Sequence, residues 1–208
     1  MAVAKSPFLV YPDFLSPKQC ESIVDDLGFY HPDTNVDGEP IKMMRHHETH
    51  EESLFLRAQS LVPEVFSHFG SEYRGTEQMQ FEFLAEGTVS QPTCGNSQYL
   101  RKKWVRTKDR DFTGIIFLSD YSDQAPFDTD YEVYGGKLEF PQHSFGFLPQ
   151  RGTLIIFPAG PHFINANAPV VAGDLFQVKF HFAAQMPYLH QPVDFPGDYK
   201  SWFSDTDS

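Results

Sequence analysis

The chain is poor in cysteine, in basic residues and in long apolar runs, and each shortage closes off a class of function. Two cysteines, Cys20 and Cys94, in 208 residues do not make a disulfide framework, so the sequence reads as one made in a reducing, intracellular compartment. Lys and Arg number 16 against 28 Asp and Glu, a formal charge of -12. Sequence-independent nucleic-acid binding needs a basic footprint, and docking on anionic lipid needs one too. Both are disfavoured, while solubility, or assembly against a basic partner surface, is favoured. No apolar run approaches the roughly 20 residues of a membrane span. The opening Met1-Ala-Val-Ala-Lys-Ser-Pro-Phe8 has no apolar stretch after its lysine and does not read as a signal peptide.

Phenylalanine is abundant, with 21 residues, and aromatics suit pleated, half-buried surfaces. The length suits one domain with a sizeable core. Ser16-Pro-Lys-Gln19 is a capping box with proline at the first helical position. Cys20, Ile23, Val24 and Leu27 follow at helical spacing, with Cys20 a small core residue, and Gly28 ends the pattern. Thr49-His-Glu-Glu52 is a second capping box, continued by Leu54, Ala58, Leu61, Val65 and Phe69. Pro63 is expected to bend or divide that helix, and Gly70 to stop it. After Gln78 come short apolar segments: Phe81 and Phe83, Ile115 to Leu118, Leu138 and Phe140, Leu154 to Phe157, and Phe176 to Phe182. The Asp-rich stretch from Asp120 to Tyr134, with Pro126, reads as a surface loop. Two N-terminal helices packed on a double-sheet barrel fit this order. From Pro187 onward the chain is rich in Pro, Asp and aromatics and reads as an extended tail. That tail is expected to dock Tyr188, Phe195, Tyr199, Trp202 and Phe203 on a neighbouring subunit, the bland alternative being that it folds back on its own domain.

Six landmarks occur in order between roughly residues 8 and 182. They are Asp13-Phe-Leu-Ser-Pro-Lys-Gln-Cys20, Phe81-Glu-Phe-Leu-Ala-Glu-Gly87, Arg110-Asp-Phe-Thr-Gly-Ile-Ile-Phe-Leu-Ser-Asp-Tyr121, Gly135-Gly-Lys-Leu-Glu-Phe140, Pro149-Gln-Arg-Gly-Thr-Leu-Ile-Ile-Phe-Pro158 and Pro169-Val-Val-Ala-Gly173. Together they resemble the prolyl 4-hydroxylase branch of the Fe(II)/2-oxoglutarate dioxygenases, in particular the short versions found in viruses of bacteria. The resemblance implies an α+β, mainly β fold: a double-stranded β-helix, or jelly-roll, barrel over residues 1–186, with the two helices packed on it and 187–208 as the tail.

The departures from that family are specific. Its His-x-Asp pair falls on Thr93 and Gly95, and its distal His on Asn165. Two-His-one-carboxylate sites suit Fe(II) because imidazole and carboxylate bind it and leave positions open. Threonine, glycine and asparagine do not form such a set. The Arg or Lys that anchors 2-oxoglutarate falls on Leu175, which offers no cation to a carboxylate. Period-two alternation puts Phe176, Val178, Phe180 and Phe182 on one face and Leu175, Gln177, Lys179 and His181 on the other. The resemblance implies that the second face looks into the barrel mouth. Lys179 is then a weak substitute anchor: it lies about 13 Å further along a strand, too far for a simple replacement, and reads more readily as a polar pocket remnant or a structural salt bridge.

Other candidates have bland readings beside the functional one. His46, His47 and His50 stand at i, i+3 and i, i+4 spacings that can hold a metal, with Glu48 and Glu51 near, but no zinc-protease pattern accompanies them. His162, three residues before Asn165, has the wrong strand parity for a ligand. His143 reads as a loop residue and His181 as a buried, hydrogen-bonded one. Asp109 and Asp111 flank Arg110 and are expected to cap or salt-bridge that turn. Ser97 and Cys94 have no base arranged in sequence for nucleophilic catalysis.

The resulting expectation is a catalytically degenerate oxygenase homologue with no cofactor, used as a structural or binding module. Its concrete form is a phage tail, neck or baseplate component located in the virion, with protein partners and no nucleic acid or membrane. The alternative is an active, cytoplasmic Fe(II)/2-oxoglutarate dioxygenase with displaced ligands, acting on a peptidyl proline or related side chain. A third reading is a small-molecule binder that keeps the pocket without the metal.

Overall fold

A computed structural model describes residues 5–27, 42–45, 47–123 and 127–203. Gly28, His46, Pro126 and the last five residues lie outside the described set.

Helix α1 (Pro17–Leu27) starts as its sequence predicts. The Ser16 amide donates to Gln19 Oε1 at 3.0 Å and the Gln19 amide to Ser16 Oγ at 3.4 Å. Its stripe of Cys20, Ile23, Val24 and Leu27 is buried. Helix α2 (Glu48–Phe69) is capped by His47 rather than by Thr49. His47 Nδ1 accepts from the His50 amide at 3.4 Å, and Glu51 accepts from the His47 amide at 3.1 Å. An imidazole nitrogen thus takes the place of the hydroxyl in a reciprocal cap. Pro63 does not divide this helix. It is exposed, so the carbonyl it frees meets water, and the buried Leu54, Ala58, Val65, Phe66 and Phe69 hold both halves to the core. Gly70 closes the helix in the left-handed conformation, φ 61°.

The strands are β1 (Leu9–Tyr11), β2 (Lys42–Arg45), β3 (Tyr73–Thr76), β4 (Gln80–Leu84), β5 (Ser97–Leu100), β6 (Lys103–Arg106), β7 (Phe112–Phe117), β8 (Asp120–Tyr121), β9 (Glu132–Gly135), β10 (Leu138–Phe140), β11 (Phe145–Phe147), β12 (Leu154–Pro158), β13 (Ala166–Asn167), β14 (Val170–Gly173) and β15 (Leu175–Ala184). A seven-stranded antiparallel sheet runs β1-β12-β7-β15-β4-β2, with β3 also on β15. Smaller sheets run β11-β10-β13 and β14-β9-β8, and β5 pairs with β6 as a separate ribbon. The stretch from Asp120 to Tyr134 is not simply a loop. Asp120 and Tyr121 pair in parallel with Glu132 and Val133, because the fully buried Val133 draws that end of the segment into the apolar core.

The large sheet separates two apolar layers. Phe81, Phe83, Ile116, Ile156, Phe176, Val178, Phe180 and Phe182 pack with the stripes of α1 and α2. Leu84, Ile115, Phe117, Ile155, Phe157 and Leu175 pack on the other side with Leu138, Phe140 and Val170 of the smaller sheets. This is a mixed, largely antiparallel architecture consistent with a jelly-roll-type fold.

The tail packs on the chain's own domain. Tyr188 lies against Phe112, ring centroids 5.0 Å apart, and Phe195 is buried against Phe69. Tyr199 and Phe203 both stack on Phe145, at 5.4 and 5.0 Å, and Trp202 reaches Phe8 at 6.1 Å. No helix among the described residues is long and apolar enough to cross a membrane.

Candidate functional site

The second face of β15 changes character along its length. Leu175 is fully buried in the apolar layer, Gln177 is buried but polar, and Lys179 and His181 open onto a cavity of about 470 Å³. Thr93, Gly95, Thr113, Asn165, Arg110 and Trp104 contribute other walls. Thr93, Gly95 and Asn165, read from sequence as three related positions, therefore converge on one cavity. Leu175 does not line it.

Thr93 and Asn165 form an isolated antiparallel bridge. Their amides donate to each other's carbonyls at 2.9 and 2.8 Å. The Asn165 side-chain amide is already committed, donating to the Phe163 carbonyl at 3.0 Å. Gly95 sits where a Cβ would lie 2.9 Å from Thr113 Oγ1, 3.0 Å from Ala159 Cβ and 3.3 Å from His181 Cε1.

Beside these residues runs a buried polar ladder. Gln177 Nε2 donates to Glu82 Oε2 at 2.7 Å and to Asn167 Oδ1 at 3.2 Å. Lys179 Nζ lies 3.8 Å from the same Glu82 oxygen. Asn167 continues the chain to the Gly136 carbonyl at 3.1 Å. His181 Nδ1 is 3.1 Å from Thr113 Oγ1. Burial, then the positive charges of Arg110, Lys179 and Lys108, hold His181 well below the usual histidine range, which favours the neutral imidazole.

No protein-family signature matches the sequence, and no curated protein matches it at the sequence level. Solved structures do match. A viral collagen prolyl hydroxylase from Paramecium bursaria Chlorella virus-1, complexed with 2-oxoglutarate, superimposes with a TM-score of 0.64 at 15% identity, covering 89% of this chain and 100% of that one. A prolyl 4-hydroxylase from Pseudomonas putida gives 0.61 at 11% identity, covering 88% and 96%. HygX from Streptomyces hygroscopicus, with nickel and 2-oxoglutarate bound, gives 0.57 at 14% identity, covering 93% and 91%. This chain has the prolyl 4-hydroxylase-like oxygenase fold.

The three positions on which the sequence reading places the family's iron ligands bring no imidazole, thiolate or carboxylate to this cavity. Thr93 offers a hydroxyl, Gly95 no side chain and Asn165 an amide donor already in use, none of which is an imidazole or carboxylate ligand. An aspartate at position 95 has no room without movement of Thr113 or Ala159. Among the described residues, no three His, Cys, Asp or Glu side chains gather into a possible metal site. The cation nearest to an anchoring role, Lys179, already faces the carboxylate of Glu82, against which an incoming carboxylate has to compete.

The remaining sequence candidates fall elsewhere or have structural partners. Asp111 is buried and accepts from Arg106 Nη1 at 2.9 Å and from the Ala184 and Tyr188 amides, both at 2.8 Å. Asp109 pairs with Arg106 and Arg74, so both carboxylates tie the turn as expected. Arg110 pairs with Glu77 at 2.6 Å. His50 pairs with Asp26 at 2.9 Å. His162 lies on a short 3-10 turn, its carbonyl accepting from His143 Nε2 at 2.8 Å. Cys94 Sγ donates to the Ser97 carbonyl at 3.2 Å, and burial pushes its thiol pKa up, the wrong direction for a nucleophile. Two features went unread in the sequence. One is Glu82 of the ladder, whose only signal is its place between Phe81 and Phe83. The other is the β5–β6 ribbon beside the cavity.

Proposed function

We propose that the chain is a non-catalytic relative of the 2-oxoglutarate oxygenases that serves as a structural or binding module. The observation that carries this reading is the convergence of Thr93, Gly95 and Asn165 on one cavity where none supplies a metal-ligating group. The burial of Leu175 in the apolar layer supports it for the co-substrate. Functional sites are replaced on retained folds, and here a polar ladder of Glu82, Gln177, Asn167 and Lys179 occupies the interior beside the cavity. The resemblance of the sequence landmarks to phage-encoded versions makes a virion component the concrete form, testable by mass spectrometry of purified particles.

The competing reading is an active dioxygenase with displaced ligands, for which Glu82, Cys94 and His181 are the ligand-type side chains of the cavity wall. Calorimetry with Mn(II) and with 2-oxoglutarate on protein purified without oxygen separates the two. The module reading expects no stoichiometric binding of either. Micromolar metal binding that is lost in His181→Ala, together with turnover of 2-oxoglutarate, favours the enzyme reading instead.

A further inference from the structure

We propose that the β5–β6 ribbon is a docking element for a second copy of this chain. The ribbon is the basic pole of an acidic molecule. Arg101, Lys102, Lys103, Arg106 and Lys108 lie within twelve residues, 97–108, of a chain whose formal charge is -12. Arg106 is held by Asp109 and Asp111. Arg101, Lys102 and Lys103 are exposed, and no acidic side chain among the described residues pairs with them. Arg101 and Lys102 form the centre of the turn with φ 50° and 67°. A two-residue hairpin turn of this hand favours Asn-Gly. Two long cations there store backbone strain, of a kind that persists mainly where it serves a function.

Both faces of the ribbon carry exposed apolar side chains. Tyr99 and Trp104 form a cross-strand ring pair with centroids 5.4 Å apart, and they are 61% and 37% exposed. Leu100 and Val105 on the opposite face are also exposed. A two-stranded ribbon with no covering layer is only marginally stable. Exposed tyrosine and tryptophan beside arginine match the make-up of contact surfaces better than that of a solvated hairpin.

The complementary surface lies on the same molecule. A groove of about 400 Å³ runs beside the first turns of α2, lined by Glu48, Glu51, Glu52, Phe55, Glu77 and Met79. Glu48 and Glu52 are exposed and pair with no basic side chain among the described residues, and Phe55 is exposed between them and the sheet. An acidic rim around one aromatic faces a basic tip around another. Glu77 of this groove is ion-paired with Arg110, which lines the cavity that Tyr99 and Trp104 wall. The two surfaces therefore flank a single ion pair. In a two-fold dimer residue i of one copy meets residue j of the other and j meets i, so a single axis allows each copy's ribbon to meet the other's groove.

This names a partner for the structural role proposed above and rests on that reading, yet the two fail separately, since metal binding and self-association are different measurements. The test is sedimentation equilibrium of the full chain at low salt. The wild type should be a dimer at tens of micromolar that dissociates as salt rises. Arg101→Glu/Lys102→Glu and Glu48→Lys/Glu52→Lys should each weaken self-association by about tenfold or more, with melting curves like the wild type. An equimolar mixture of the two variants should restore the dimer, because reversed ribbon and reversed groove then match across both contacts. A wild type that is monomeric throughout, a dimer indifferent to the ribbon reversal, or a mixture that stays monomeric overturns the proposal.

Discussion

Thr93 and Asn165 face each other across a two-way backbone hydrogen bond, at 2.9 and 2.8 Å, and both line the same cavity. Residues in such a hydrogen-bonded antiparallel pair have Cα atoms about 5.5 Å apart, a separation from which two imidazoles can reach one ion. Thr93→His/Asn165→His should therefore bind Ni(II) or Zn(II) at micromolar concentration, whereas the wild type is expected to bind neither. Titration calorimetry checks this, and a folded variant without affinity would show that the two side chains diverge.

Position 95 should resist the same treatment. A Cβ there meets Thr113 Oγ1 at 2.9 Å and Ala159 Cβ at 3.0 Å, neither on a flexible side chain. Gly95→Ala is expected to cost about 1–3 kcal/mol through overpacking, read by urea denaturation. Restoring the full His-x-Asp pattern then fails by sterics even though the Thr93–Asn165 pair is well placed. A Gly95→Ala variant as stable as the wild type refutes that account.

What was legible in the sequence is what local rules govern. The Ser16–Gln19 cap, the α1 stripe and the alternation along β15 follow from spacing alone, and the structure places each as read. The positions of Thr93, Gly95 and Asn165 in one cavity were legible only through the order of six landmarks, because chain segments far apart meet there. The tightness at Gly95 was not legible, being set by β7, β15 and Ala159 together. The β5–β6 ribbon escaped notice because its turn is built from Arg101 and Lys102, where Asn-Gly would have announced it. Glu82 was hidden between two phenylalanines whose own side chains point to the opposite face of β4.

Asp111 should be a major structural carboxylate. It accepts from Arg106 and from the amides of Ala184 and Tyr188, joining the start of β7 to the end of β15 and the tail. Asp111→Asn turns an amide donor toward at least one of these donors. The expected loss is about 1–3 kcal/mol, as for a buried donor left unsatisfied. Denaturant midpoints measure it, and a change under about 0.5 kcal/mol, the usual scale of surface substitutions, would show the network to be dispensable.

The histidines around the tail predict acid sensitivity. His190 is pushed down to about 4 by burial, and then by His162 and His143, with Asp194 opposing. Burial also lowers His68, which faces Lys5 and Glu64, and His143. Each is lowered from an ordinary value of 6.5, so the unfolded chain binds more protons than the folded one below that pH. Stability is then fully present above about pH 6.5 and is lost as pH falls, for His190 through its folded value near 4. Melting temperature should stay flat from pH 7 to 8 and decline from 6.5 toward 4. His190→Phe, which keeps the ring stacked on Phe195, should make that decline shallower. An unchanged acid profile in this variant would remove His190 from the explanation.

Tail removal should destabilise the domain itself. Phe195 is buried, Phe203 and Tyr199 cover Phe145, and Trp202 packs against both apolar layers. Fully burying one large aromatic contributes about 1.5–3 kcal/mol, and truncation after Leu189 withdraws the buried Phe195 and the half-buried Tyr199 and Trp202 at once, while exposing Phe8 and Phe163 to water. The total exceeds a sizeable part of the 5–15 kcal/mol that holds a typical domain together. The truncated chain should melt far below the wild type and bind a hydrophobic dye at room temperature. If it melts within a few degrees of the wild type, the aromatic packing seen here contributes little, and the tail is free to serve contacts outside its own chain.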